Sequence, residues 1–197
     1  MFRHRCLALA LSLALLAGSQ PPPVPPRDGS DPPSAAMPEP EEIGVLMKLE
    51  KQGFRSLEMH HAQQDSDFSF FAGQLTYLTI PGLTSPVRYA AGEPVEFYLR
   101  VFLDLSDPRA AFFPVKDPTR FSLFRAERER RDRRVVLKDE GLGDVRRFAG
   151  SPLLARLYGQ SGYRLAPSHT LEPGEYVVKY SFSDDDRYRL FCFGIDP

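Results

Sequence analysis

The chain has 197 residues, with 25 Lys and Arg against 26 Asp and Glu, a net charge of -1 and a mean hydropathy of -0.31. That hydropathy excludes a polytopic membrane protein, and the even balance of signs leaves no electrostatic footprint for nucleic acid. Nineteen prolines and fifteen phenylalanines favour strands and turns over a helical bundle, and 42% hydrophobic residues suffice for one packed core.

Met1-Phe2-Arg3-His4-Arg5 is a positively charged start, followed by an apolar run from Leu7 to Ala17 and the small residues Ala17-Gly18-Ser19. This is the tripartite pattern of a cleavable secretory signal, and it predicts a signal peptide over residues 1–19. The run is about half the length that spans a bilayer. Cys6 lies inside the signal, and Ser19 and Gln20 stand where a lipobox needs Cys, so no lipid anchor is expected. Loss of Arg3 and Arg5 moves the net charge from -1 to -3. Cys192 is then the only thiol, so no internal disulfide is expected. Its place in Leu190-Phe191-Cys192-Phe193 predicts a buried thiol that packs as a small hydrophobe.

Residues 20–40 hold nine of the nineteen prolines. Such a composition cannot bury a core, and it predicts a disordered proline-rich tether over 20–41, ahead of a single domain over 42–197. Within the domain, 43–49 reads as a strand, Lys51-Gln52-Gly53 as a turn and 54–58 as its return. Residues 68–71 and 75–80 read as strands, ended by Pro81-Gly82. The clearest alternation is Val95-Glu96-Phe97-Tyr98-Leu99-Arg100-Val101-Phe102-Leu103-Asp104, with Val95, Phe97, Leu99, Val101 and Leu103 on one face. Period two over ten residues predicts a half-buried strand. A long loop over 105–120 follows. Residues 121–125 and 134–138 read as two arms of a hairpin, and Tyr176, Val178, Tyr180 and Phe182 alternate again before a turn at Asp184 and a return over 188–193. Recurrent strands without amphipathic helices predict an all-β fold, specifically an immunoglobulin-like antiparallel β-sandwich. Tyr176, just after the turn Leu171-Glu172-Pro173-Gly174-Glu175, is the candidate tyrosine corner, with its hydroxyl bonded back to the preceding backbone.

Several segments carry a resemblance: Ile43-Gly44-Val45, Ile80-Pro81-Gly82 with Ser85 and Val87-Arg88, Ser161-Gly162-Tyr163-Arg164-Leu165, Leu171 to Tyr176, and Phe191-Cys192-Phe193-Gly194-Ile195-Asp196. Across 41–197 the chain resembles uncharacterised exported bacterial β-sandwich proteins. The resemblance implies the fold and the exported compartment, periplasmic or extracellular, and implies no catalytic residue.

Among polar clusters, Arg125 to Arg134 carries six arginines against three acids. It reads as a charged hairpin tip that deters edge-to-edge pairing. Its functional reading is contact with an anionic partner, whether lipopolysaccharide, phospholipid head groups or an acidic polymer, with Arg128, Arg130, Arg131 and Arg133 as candidate contacts. Phe112 and Phe113 in the long loop are candidate apolar contacts. Asp184, Asp185 and Asp186 are weak calcium candidates, without the spacing of a calcium loop. His60 and His61 are neighbours, so on a strand they point to opposite faces and do not share a metal, and a zinc site is not expected from them. Gly159-Gln160-Ser161-Gly162 lacks the second glycine of a nucleophile elbow, and Ser168-His169 lacks a third group to orient the base. The expectation is a non-catalytic exported envelope module without a cofactor that binds a protein partner or scaffolds an assembly. A sandwich that binds a glycan, a lipid or calcium is the alternative.

Overall fold

The structure, a computed structural model, describes residues 38–70, 73–101, 115, 117–141, 144–182 and 187–197. The predicted signal peptide, most of the tether, Phe112, Phe113, positions 102–104, and Asp184, Asp185 and Asp186 lie outside the described residues. Among the described residues there is no α-helix. The helical turn that is present is a 3-10 turn at Pro118–Arg120, where the Asp117 carboxylate accepts from the Thr119 amide at 2.9 Å.

The fold is all-β and sandwich-like. Among the described residues fourteen strands form one hydrogen-bonded sheet, which packs as three layers around two cores. The first layer contains β1 (Leu46–Glu50), β2 (Gly53–Ser56), β7 (Phe97–Arg100), β11 (Ser151–Tyr158) and β12 (Gly162–Pro167), in the order β2-β1-β7-β12-β11. The middle layer contains β3 (Glu58–Gln63), β8 (Phe121–Glu129), β13 (Gly174–Ser181) and β14 (Arg187–Ile195), in the order β8-β13-β14-β3, with β6 (Arg88–Tyr89) beside β14. The third contains β4 (Asp65–Ser69), β5 (Gly73–Pro81), β9 (Asp132–Gly141) and β10 (Asp144–Arg147), in the order β4-β5-β9-β10. The strand pairs are antiparallel apart from β6 with β14.

Alternation along the middle strands builds two cores. Tyr176, Val178 and Tyr180 of β13 and Phe191, Phe193 and Ile195 of β14, with Tyr89 of β6, face the first layer, where they meet Leu46, Phe97, Leu99 and Leu165. Val177, Leu190 and Cys192 face the third layer, with Leu78 and Ile80 of β5 and Val135 of β9. Both faces of β13 and β14 are therefore covered, which is why 190–193 is a continuous apolar run and not an alternating one. Cys192 is fully buried, as its neighbours predict. The Tyr176 hydroxyl donates to the Glu172 carbonyl at 2.8 Å, the backward bond of a tyrosine corner, and its ring stacks on Phe193 at 5.4 Å.

Two predicted elements differ in extent. The ten-residue alternating strand forms regular pairing over Phe97–Arg100 among the described residues, with Phe97, Leu99 and Val101 buried as predicted. Its start is diverted because the Glu96 carbonyl accepts from the Tyr89 hydroxyl at 2.7 Å instead of from a neighbouring strand. Tyr98, placed among the outward residues, is buried by edge contacts to Phe54 and Tyr158. The arms 121–125 and 134–138 do not pair with each other. β8 and β9 match only Glu127, Arg128 and Glu129 with Arg134, Arg133 and Asp132, then splay. β8 has apolar residues on both faces, Leu123 toward one core and Phe124 toward the other, so it pairs with β13 inside the middle layer while β9 pairs with β5.

The tail of the proline-rich segment is held against the domain. The Glu39 carboxylate accepts from the Gln160 amide and from Ser161 Oγ, and the Tyr158 hydroxyl donates to the Pro38 carbonyl at 2.9 Å. Gly159 between β11 and β12 has φ 62°, and a Cβ there would collide with Glu39.

Candidate functional site

The splayed hairpin is where the charged residues gather. Its turn is Arg130-Arg131, between the paired residues Glu129 and Asp132, and Arg130 has φ 52°. Positive φ suits the turns that match strand twist, and a residue with a Cβ carries strain of roughly 1–2 kcal/mol there. Arg130 and Arg131 are exposed and have no ion-pair partner among the described residues. Arg128 is half-exposed and reaches Glu175 at 3.2 Å. Arg134 lies over the Tyr77 ring at 4.2 Å and pairs with Glu129 at 2.7 Å.

Arg133 is not part of the solvated tip. Its side chain is 0% exposed. In a strand the side chains alternate, so Arg133 shares the inward face with Val135 while Arg134 points out. Its guanidinium donates from Nη2 to Glu58 Oε1 at 2.7 Å and to the Pro81 carbonyl at 3.0 Å, and from Nε to the Gly82 carbonyl at 2.9 Å. Nη1 lies 3.8 Å from Glu175 Oε2.

Glu175 is the hub. Oε1 accepts from Arg88 at 2.7 Å and Arg128 at 3.2 Å, and Oε2 accepts from the Ser85 amide at 2.9 Å. Arg88 is shared with Asp196 at 2.6 Å, and these two acids, Glu175 first, push its pKa up. Arg88, Arg125 and Arg128 line an open cleft of about 420 Å³ beside Glu175. Burial opposes ionisation of Glu58, but its hydrogen bonds from Arg133 and His60 outweigh burial and hold its pKa below the usual value. Burial pushes the Cys192 thiol up to about 12. At neutral pH it is therefore a protonated thiol and not a thiolate nucleophile.

The remaining sequence candidates fall as follows. His60 is partly buried and His61 exposed, on opposite faces of β3. His60 Nε2 lies 2.8 Å from Glu58 Oε1. The Gly159 to Gly162 stretch is the β11–β12 turn that holds Glu39. Ser168 Oγ and His169 Nδ1 are 3.4 Å apart and exposed, on the rim of a cleft of about 470 Å³. The carboxylates of that cleft are engaged elsewhere, Glu93 by Lys48 and Glu96 by Tyr98 and Arg164. Glu58, Glu175 and Arg88 were not singled out by spacing, because β3, β13 and the segment before β7 meet only through the sheet. The phase of Arg133 with Val135 was the one sequence signal for the network.

Comparison of the chain with the models of known protein families, with curated proteins and with solved structures finds no match. Among the described residues no helix is long and apolar enough to cross a membrane.

Proposed function

We propose that this chain is an exported, non-catalytic envelope module of immunoglobulin-like sandwich type that docks an acidic protein partner through the β8–β9 hairpin. Cleavage after residue 19 releases it to the periplasm or the extracellular space, and the proline-rich tether stands before the domain. One observation carries the reading. The hairpin divides its arginines into a buried set, Arg133 with Glu58 and Glu175, and an exposed, unpaired set, Arg130 and Arg131. The buried set fixes the direction of the hairpin, and the exposed set presents guanidinium groups that pair bidentately with carboxylates. Desolvated arginines are favoured interface anchors.

The test is photo-crosslinking in cells from a reactive residue placed at Arg131 in the full chain. The expected result is one defined protein adduct that disappears when Arg130→Glu is added. A chain that forms no adduct, or forms one unaffected by that charge reversal, overturns the reading.

A further inference from the structure

A second site lies on the covered face of the middle layer, apart from the exposed arginines. Cys192 of β14 stands directly opposite Glu58 of β3, and His60 lies two residues along β3 on the same face. Opposed residues of an antiparallel pair have their Cβ atoms about 4.5–5.5 Å apart, and a residue two places along remains within reach. One carboxylate oxygen of Glu58, one ring nitrogen of His60 and Sγ of Cys192 all lie within 4.8 Å of one another.

We propose that Glu58, His60 and Cys192 bind one transition-metal ion, with Zn²⁺ the ion best suited to the set. Metal–ligand bonds of roughly 2.0–2.3 Å in a tetrahedral shell place ligand atoms about 3.3–3.8 Å apart. The widest separation therefore closes by no more than about 1 Å, and His60 Nε2 and Glu58 Oε1, now 2.8 Å apart, move apart to admit the ion. Their chemistry selects the ion. A sulfur, an imidazole nitrogen and a carboxylate oxygen suit a borderline-soft cation, whereas calcium and magnesium take oxygen shells. Three protein ligands leave a fourth position for water.

Two further observations support the site. Glu58 Oε2 is buried and has no hydrogen-bond partner, so a lone pair is available there. Oε1 is held by Arg133 Nη2 at 2.7 Å, an outer contact of the kind that orients a ligating carboxylate. Arg133 also faces Glu175 Oε2 at 3.8 Å, a carboxylate shared with Arg88 and Arg128. Access runs past His60, whose side chain is 26% exposed. On binding, His60 Nε2 exchanges Glu58 Oε1 for the ion. The Cys192 thiol loses its proton to solvent as the metal–sulfur bond forms, so the site gains one net positive charge.

The test uses the purified metal-free full chain titrated with Co²⁺, a coloured stand-in for Zn²⁺. The expected result is one equivalent bound with a sulfur-to-cobalt charge-transfer band, bleached by Zn²⁺. Cys192→Ser removes the band. His60→Gln weakens binding by more than the roughly 10–100-fold that outer-shell changes cost, and His61→Gln on the opposite face leaves it unchanged. Because serine in an apolar core can unfold the chain, His60→Gln at a partly exposed position is the independent arm, with circular dichroism confirming the fold. Absence of the charge-transfer band in the unaltered chain, or a band that survives His60→Gln or falls with His61→Gln, overturns the proposal.

Discussion

The two faces of the middle layer bury comparable strands by opposite means. Toward the first layer the closest contacts are between aromatic rings. Phe193 meets Tyr89 at 5.6 Å, Phe97 at 5.1 Å and Tyr176 at 5.4 Å. Toward the third layer the cluster is smaller and largely aliphatic, with Phe124 among its members, and it ends at Arg133, Glu58 and Glu175. The first face is held by area and shape. The second is held by charges that must find one another, so it specifies where the third layer sits and where the hairpin points. A buried ionic group that fixes register is a known use of such pairs, although it is weak grounds for added stability.

Breaking each face by one residue costs a similar amount for different reasons. Phe193→Ala leaves a cavity among three rings and is expected to cost about 3–5 kcal/mol in urea unfolding. Arg133→Met leaves Glu58 without its guanidinium partner, while Glu175 keeps Arg88 and Arg128, and is expected to cost about 3–5 kcal/mol. The contrast appears on compensation. Adding Glu58→Met and Glu175→Met to Arg133→Met is expected to recover part of the loss, since apolar replacement of buried ionic groups is often neutral or better, although Arg88 and Arg128 then lose their acceptor. Recovery remains partial because the Ser85 amide loses its acceptor. No second substitution on the aromatic face restores Phe193→Ala in this way. If the triple variant is no more stable than Arg133→Met alone, the contrast between the faces fails.

Smaller changes sharpen the same comparison. Tyr176→Phe keeps the ring stack on Phe193 and removes only the bond to the Glu172 carbonyl, with an expected loss of about 1 kcal/mol and an unchanged denaturant slope. Arg130→Glu with Arg131→Glu touches neither core. It is expected to change unfolding free energy by less than about 0.5 kcal/mol, while Arg130→Glu alone abolishes the in-cell adduct formed from position 131. A large stability loss in that pair would mean that the tip is part of the packed structure.

The aromatic face was readable from the sequence and the charged face was not, for a physical reason. Phe97, Leu99 and Val101, and Tyr176, Val178 and Tyr180, alternate within single strands, and period two is local information. Tyr176 also sits beside its own turn, so its hydroxyl bond spans four residues. Glu58, Glu175, Arg88 and Arg133 meet across separations set by strand order, which no local spacing encodes. The arginine-rich stretch was read as one solvated block because its net charge hides its phase; the structure turns Arg133 inward and leaves Arg130 and Arg131 outside. β11 went unread for the same kind of reason, since Pro152 and the exposed Leu154 and Leu157 disguise an edge strand.

The smallest expected effect concerns the point where the leader meets the domain, remote in kind from both cores. Glu39 is held by hydrogen bonds that favour its charged form, the Gln160 amide first and Ser161 next, and its pKa lies below the ordinary 4.5. A depressed carboxylate contributes docking that is fully present above 4.5 and is lost as pH falls through the lower, bound value. The contact is exposed, so its release leaves the cores folded. The Gln160 amide is therefore expected to move and to exchange faster below pH 4.5, while amides of β13 and β14 stay protected. Gly159→Ala is expected to give the same Gln160 signature at neutral pH, because its Cβ would occupy the space of the Glu39 carboxylate. If the Gln160 amide is unmoved by both acid and that substitution, residues 38–40 are not anchored by Glu39, and the tether begins further along the chain.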